Sequence, residues 1–445
     1  METLDSTIVA TALPAIAQSL GEPTLNLTAS ITVYLVAMAI FVPTAGWASA
    51  RFGARNLFAT AVGVFTLASL LCGLSPSLNT LLAARLLQGA AAAFMSPVGR
   101  LVVLREAPKH RIIDAIGLIV WPALIAPVIG PPLGGFITTY ASWRWIFLIN
   151  VPLGVLGVLL VLRFVPKHEK EIPARFDIAG FILTAVALAT LIHGLSRVAA
   201  RAGDEMAGGL YILIGIAAGI AAMRHAQRHP SPMLDLSAVR VPTFALSTVT
   251  AGLLARIAIN MTPFLLPLMF QIGFGATAFE AGMMLLVYMA GNLAMKSVTT
   301  PILRRYGFRD VLKVNGMLCV AALVGCGLLS PAMPLAVVCV VLFIAGLTRS
   351  MNFTCTATLA FADVPGDVRP GATTLATMAQ QTAGALGVAL AAFALGAFQA
   401  WRGGEQLALP DFQHALFAAG GLMALAVVWM QQLPPDAGAE LSRRP

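Results

Sequence analysis

Long apolar stretches alternate with short segments carrying charge, Pro or Gly, and the apolar stretches recur at close to one length. A helix needs about 20 apolar residues to cross the hydrocarbon of a bilayer. Fourteen stretches approach or exceed that: 1–20, 31–49, 57–75, 79–103, 113–140, 145–165, 177–196, 207–223, 244–271, 281–300, 312–330, 334–358, 372–399 and 413–431. Each predicts one membrane-spanning helix, so the expected fold class is an all-α polytopic membrane protein.

Composition agrees with that pattern. Of 445 residues, 58% are hydrophobic and 11% charged, against roughly 25% charge in soluble domains. Collagen, disorder and a secreted disulfide scaffold are excluded together: Gly and Pro show no period, and five cysteines are too few. Cys72, Cys319, Cys326, Cys339 and Cys355 lie in apolar runs and read as small hydrophobes. The net charge of +9 does not point to nucleic acid, because the basic residues sit in short clusters between apolar runs.

Those clusters set the orientation. With the amino terminus inside, cytoplasmic segments hold 19 of the 28 Lys and Arg, and external segments hold four: Arg144, Arg197, Arg201 and Arg402. The positive-inside rule then places both termini in the cytoplasm of a plasma (inner) membrane protein. No basic leader with a small-residue cleavage site precedes the first stretch. That stretch carries Glu2 and Asp5 at once, so Met1 is expected to lie partway into the first helix.

One segment is repeated. GWASARFGARNLF (46–58) and TPILRRYGFRDVL (300–312) align at an offset of 254, which puts Arg51, Gly53 and Arg55 on Arg305, Gly307 and Arg309. The glycine permits a tight exit from one helix while the arginines meet headgroups or helix carbonyls. Gly46 opens the first copy. Repeats of this kind are common in secondary transporters, where two bundles rock about a site near the midplane. The expected division is a six-helix bundle over 1–165, a linker with two further helices over 166–240, and a second six-helix bundle over 241–445.

At this point the chain resembles the major facilitator superfamily, and within it the 14-helix drug:proton antiporter family. LDSTIVATALP (4–14) looks like that family's first-helix signature, and RLLQGAAAAFMSPVGR (85–100) is similar to its fourth-helix motif, with Arg85 and Gly89 in place. APVIGPPLGG (126–135) resembles the antiporter motif of the fifth helix, and WRWIFLINVPLG (143–154) the start of the sixth. The match runs nearly end to end. It implies the major facilitator fold and a role for Arg85 in proton coupling. One departure stands out: the family places an acid before the first basic residue of the repeated loop, and here that position is Ala50.

Charge inside the spans marks candidate chemistry, since each such charge costs about 2.5–3.5 kcal/mol on insertion scales. Asp5 is the expected proton carrier, with Glu2 a weaker candidate nearer the surface. Arg100, Arg349 and Lys296 are expected to snorkel from span ends. Arg256 sits three turns into its span beside Asn260 and is expected to line a cavity. Substrate contacts are expected from Arg256, Asn260, Phe264, Gln271, Gln380 and Gln381, with Met261, Met269 and Phe270 as further apolar wall. In the antiporter motif, Pro127, Pro131 and Pro132 bend the helix while Gly130, Gly134 and Gly135 admit a close neighbour.

Other chemistry is not encoded. Phosphate-loop and hydrolase signatures are missing, so neither an enzyme nor a cofactor is expected. His110, His168, His193, His225, His229 and His414 are scattered, and no metal site is expected. The leading expectation is a proton-coupled exporter of small amphipathic compounds, working as a monomer in the bilayer with protons and a small-molecule substrate as its partners. An exporter of an organic anion or its metal chelate, and a non-transporting membrane sensor, are the competing readings.

Overall fold

The computed structural model describes residues 1–106, 112–167, 175–199, 205–434 and 437–439. His110, His168 and Arg201, singled out above, lie outside the described residues. The first eight long helices are α1 Glu2–Leu20, α2 Thr28–Phe52, α3 Ala54–Gly73, α4 Leu78–Glu106, α5 Ile112–Tyr140, α6 Trp145–Phe164, α7 Ile178–Ala199 and α8 Glu205–Arg228. After a linker come α9 Pro242–Gly273, α10 Ala278–Tyr306, α11 Phe308–Gly327, α12 Leu335–Ala362, α13 Arg369–Trp401 and α14 Leu409–Met430.

Thirteen of these, α2 to α14, are long and apolar enough to cross a membrane. The remaining helix, α1, stands where the first span was expected and carries Glu2 and Asp5 in its first turn. Aliphatic side chains are exposed along the outer faces of α5, α6 and α8, among them Leu118, Leu159 and Leu213. On helices this long and apolar, such surface fits contact with lipid. The protein is a multi-pass integral membrane protein.

Packing repeats as the sequence does. In the first six helices α1 packs on α5, α2 on α4, and α3 on both α4 and α6; in the last six α9 packs on α13, α10 on α12, and α11 on both α12 and α14. The offset of 254 holds at the backbone: Gly53 N–H donates to Ser49 O at 2.9 Å, and Gly307 N–H to Leu303 O at 2.9 Å. Both glycines have positive φ, 83° and 76°, and both separate the second helix of a half from its third.

The halves meet along two seams, α2 with α13 and α5 with α10, which the repeat interchanges. The added hairpin, α7 with α8, lies at the first of these. Leu188 and Ile192 of α7 pack with Val36, Ala39 and Ile40 of α2 and with Ala385 and Ala389 of α13.

Helix α9 is irregular at both ends. Wide π turns over Ala245–Val249 and Met269–Gly273 flank the α-helix Ala251–Leu268, which contains Pro263 and Pro267. Membrane helices tolerate such breaks where protein covers the freed carbonyls.

Candidate functional site

The most concentrated chemistry lies inside the first half. Asp5 on α1 and Arg85 on α4 are completely buried side chains, and Arg85 Nη1 donates to Asp5 Oδ2 at 2.5 Å. Asp5 Oδ1 accepts from Gln88 Nε2 at 3.1 Å and from Asn150 Nδ2 on α6 at 3.0 Å. Arg85 reaches further, with Nε to Ser30 O on α2 at 3.0 Å and Nη1 to Gln88 Oε1 at 2.6 Å. Gln88 Nε2 also donates to Ser69 Oγ on α3 at 2.7 Å. The guanidinium lies over the Tyr34 ring, 4.2 Å from its centroid.

Local sequence explains the arrangement. Arg85 and Gln88 are three apart on one helix, hence on one face, and both turn inward. Gly89, on the next turn, lets α4 approach α2 so closely that a Cβ there would overlap the Tyr34 carbonyl oxygen. Five helices of one half thus meet in one hydrogen-bonded network around the Asp5 carboxylate. Removing two charges from water costs several kcal/mol each, and only such dense hydrogen bonding offsets it. The sequence reading picked Asp5 and Arg85 but missed Gln88 and Asn150. Gln88 was legible as a polar residue at i+3 from Arg85.

The antiporter motif serves both a half and a seam. Gly134 faces α1, where a Cβ would come within 2.7 Å of Thr11 Oγ1, and Gly130 abuts Thr7 in the same way. Gly135 faces α10 instead, against the Ala278 carbonyl, and Gly282 of α10 answers it, 2.5 Å from Pro131 O for an added Cβ. Backbone meets backbone across the α5–α10 seam. Phe136, Tyr140 and Phe279 cluster beside it with ring centroids 5.0–6.1 Å apart, and Phe279 N–H donates to Thr139 Oγ1 at 3.1 Å.

At the repeated loop, Arg51 and Arg305 are exposed while Arg55 and Arg309 are half-buried. Arg55 Nη2 donates to the carbonyl of Leu162 on α6, so this arginine ties the loop to its own half. Arg305 lies over Tyr306, 5.4 Å from the ring centroid. Gly46 lies within α2 with open space around it.

The expected substrate contacts divide. Arg256 is 4% exposed, and its Nε and Nη1 have no hydrogen-bond partner among the described residues. Asn260 is half-buried one turn further on, backed by Gly387 of α13. Gln381 is half-buried and Gln380 exposed on α13. Gln271 is already engaged, its Nε2 donating to Thr11 O at 3.0 Å and Pro267 O at 3.2 Å, and so bridges the halves from α9 to α1. Met261, Phe264, Met269 and Phe270 are packed into the core and offer no surface in this conformation.

Arg349 also differs from expectation. It lies in the middle of α12 and does not snorkel: Nη1 donates to Tyr288 Oη at 3.4 Å and the guanidinium rests against Tyr288 and Phe353. Lys296 is exposed and donates to Thr354 Oγ1 at 2.8 Å. The histidines are less scattered than their spacing along the chain suggests, because folding brings His225 and His229 to Asp177.

Two related six-helix halves in the bilayer, with an ion pair sealed inside one and glycine seams between them, define a membrane transporter. The chain belongs to the Major Facilitator Superfamily, whose family model matches residues 1–388, and within it to the 14-helix drug:proton antiporter family. It is similar to proteins named multidrug resistance protein MdtD: 38% identical over 398 residues to that of Pectobacterium carotovorum, covering 89% of this chain and 85% of the relative. With the protein of that name from Escherichia coli O6:H1 it is 34% identical over 460 residues, covering 100% and 95%. Among solved structures, a D-xylose-proton symporter superposes with a TM-score of 0.69 at 14% identity, covering 98% of this chain and 95% of its own. The POT family transporter PepTSo gives 0.69 at 12%, covering 99% and 96%. These likenesses show the fold.

Proposed function

We propose that the protein exports small amphipathic organic compounds across the plasma (inner) membrane in exchange for protons, by alternating access, with both termini in the cytoplasm. Residues 1–165 and 241–445 are the two rocking units and 166–240 the linker with its hairpin. The observation that carries the reading is the sealed Asp5–Arg85 pair, the densest polar cluster in an otherwise apolar half.

The coupling follows from charge. With Asp5 ionised the pair is neutral as a unit, and hydrogen bonds hold both carboxylate oxygens and the Nε and Nη1 of Arg85, so it can stay dry. A proton on Asp5 leaves Arg85 as a lone cation in the same dry place, a cost of several kcal/mol. That cost is relieved by opening the cluster to water, where the proton leaves. Proton binding on one side and release on the other are thereby linked to movement of the halves, along seams that the glycines of 130–135 keep close. Arg256, Asn260, Gln271, Gln380 and Gln381 supply polar contacts to substrate between the halves, and Phe264 becomes a wall only if the halves part. The gate is formed by the two loops around Gly53 and Gly307, with Arg51, Arg55, Arg305 and Arg309. In everted vesicles, Asp5→Asn should abolish pH-driven drug accumulation; undiminished transport sinks the reading. The sensor alternative predicts no pH-dependent flux from purified protein in liposomes.

A second reading has its own observation. Arg256 is a buried cation with no hydrogen-bonded or ionic partner among the described residues, and the buried acid Asp5 is engaged by Arg85. An uncompensated buried charge favours an anionic ligand. On that reading the cargo is an organic anion, and Arg256→Gln should remove anion export while sparing cationic dyes.

A further inference from the structure

The hairpin α7–α8 carries a cluster that the transport cycle does not use. Asp177 immediately precedes α7, while His225 lies in the last turn of α8 and His229 just past its end, the His229 N–H donating to His225 O at 2.9 Å. One ring nitrogen from each histidine and a carboxylate oxygen of Asp177 lie within 4.8 Å of one another. We propose that Asp177, His225 and His229 form a binding site for a divalent transition-metal ion such as Zn2+.

Two neutral imidazoles and a carboxylate, with a position left open, are the donor set such ions take in preference to Mg2+ or Ca2+. The donors are held ready. His225 Nε2 sits 2.8 Å from Asp177 Oδ1, a hydrogen bond that need open by only about 0.5 Å to reach the spacing of two donors on one tetrahedral ion, and its ring centroid is 5.0 Å from that of His229. The lone pair on His229 Nδ1 meets only the Ser231 N–H, at 3.3 Å. Around them a supporting shell fixes the carboxylate: Gly180 N–H donates to Oδ1 at 2.8 Å and Met233 N–H to Oδ2 at 3.1 Å. The cluster is open on one side, with the His225 side chain 25% exposed and that of Asp177 3%.

The ligands come from the start of α7 and the end of α8, and Met233 belongs to the linker that runs on to α9. An ion at this place staples the base of the hairpin to the strand of chain entering the second half. Its role is structural or regulatory and separate from substrate binding.

The test uses purified, tag-free, full-length protein stripped with chelator and titrated with Zn2+, and with Co2+ as a spectroscopic probe. One ion per chain should bind, give the visible absorption of low-coordinate Co2+, and raise the melting temperature. His225→Gln and His229→Gln should each weaken binding at least about tenfold, while His193→Gln, on α7 but bonded to Arg197 instead, should leave it unchanged. Asp177→Asn also removes a helix cap, so His229→Gln, outside the helix, is the deciding variant. Absence of saturable binding, or binding that survives His229→Gln, overturns the proposal and leaves a hydrogen-bonded latch.

Discussion

Tyr34 and Tyr288, 254 positions apart, stand in the same place in their two halves. Each offers its carbonyl to a glycine of the next helix but one, Gly89 and Gly346, and each offers its ring to a buried or half-buried arginine, Arg85 and Arg349. Among the described residues, only the first half adds a carboxylate to the arrangement. The two halves therefore share a scaffold and differ in charge, and the coupling proposed above draws on the first half alone.

That equivalence is testable through the glycines. A Cβ at either position would overlap a tyrosine carbonyl oxygen, and backbone cannot swing aside as a side chain can. Gly89→Val and Gly346→Val should each destabilise the folded protein by about 1–3 kcal/mol or more. Thermal melting in detergent reads this, and a normal melting temperature in either variant would break the equivalence.

The Asp5–Arg85 pair predicts a thermodynamic signature apart from transport. Asp5→Asn or Arg85→Gln alone strands a charge or its donors and should cost about 3–5 kcal/mol. The double variant leaves no stranded charge and should melt above Arg85→Gln and Asp5→Asn alike. If the double loss equals the sum of the single losses, the two residues are not coupled.

At the α5–α10 seam, Gly135 leaves no room for a side chain against Ala278. Gly135→Leu should hold the two helices apart, lowering transport at least tenfold, roughly 1.4 kcal/mol or more in the closing step. Substrate binding to the purified protein should persist. Wild-type flux from this variant would show that the seam need not close.

Gly53 isolates backbone strain from packing. Its φ of 83° with ψ of 135° suits glycine alone, yet an added Cβ meets nothing within 4 Å. Gly53→Ala should therefore cost about 1–3 kcal/mol through conformation only, with no rescue from trimming neighbours. Chemical denaturation of the two proteins side by side decides it.

Much of this was legible beforehand, and the exceptions have physical reasons. Span positions follow from apolar length, which the bilayer fixes, so α2 to α14 fall within a few residues of expectation. Asp5 and Arg85 stood out because charge in lipid is costly. Gln88 and Asn150 did not, since an uncharged amide in an apolar run is cheap enough to be unremarkable until its partner is known. Met261, Phe264, Met269 and Phe270 are buried in this conformation, and hydropathy cannot separate a side chain facing substrate from one facing its own bundle. Arg349 was expected to snorkel, but the ring of Tyr288 on the neighbouring helix, which span length cannot reveal, holds it inside. Asp177 and His225 are 48 residues apart, joined only when the hairpin folds back on itself.

The position of α7 has a mechanical result. It touches α2 and α13 together through Leu188 and Ile192, so any shear between those two helices must slip across an aliphatic bearing. Such contacts have no preferred direction and little friction, and neither helix can drift away while the bearing is seated. In the cycle proposed above, the inserted pair of helices would act as a guide rail that limits the stroke without choosing its end point.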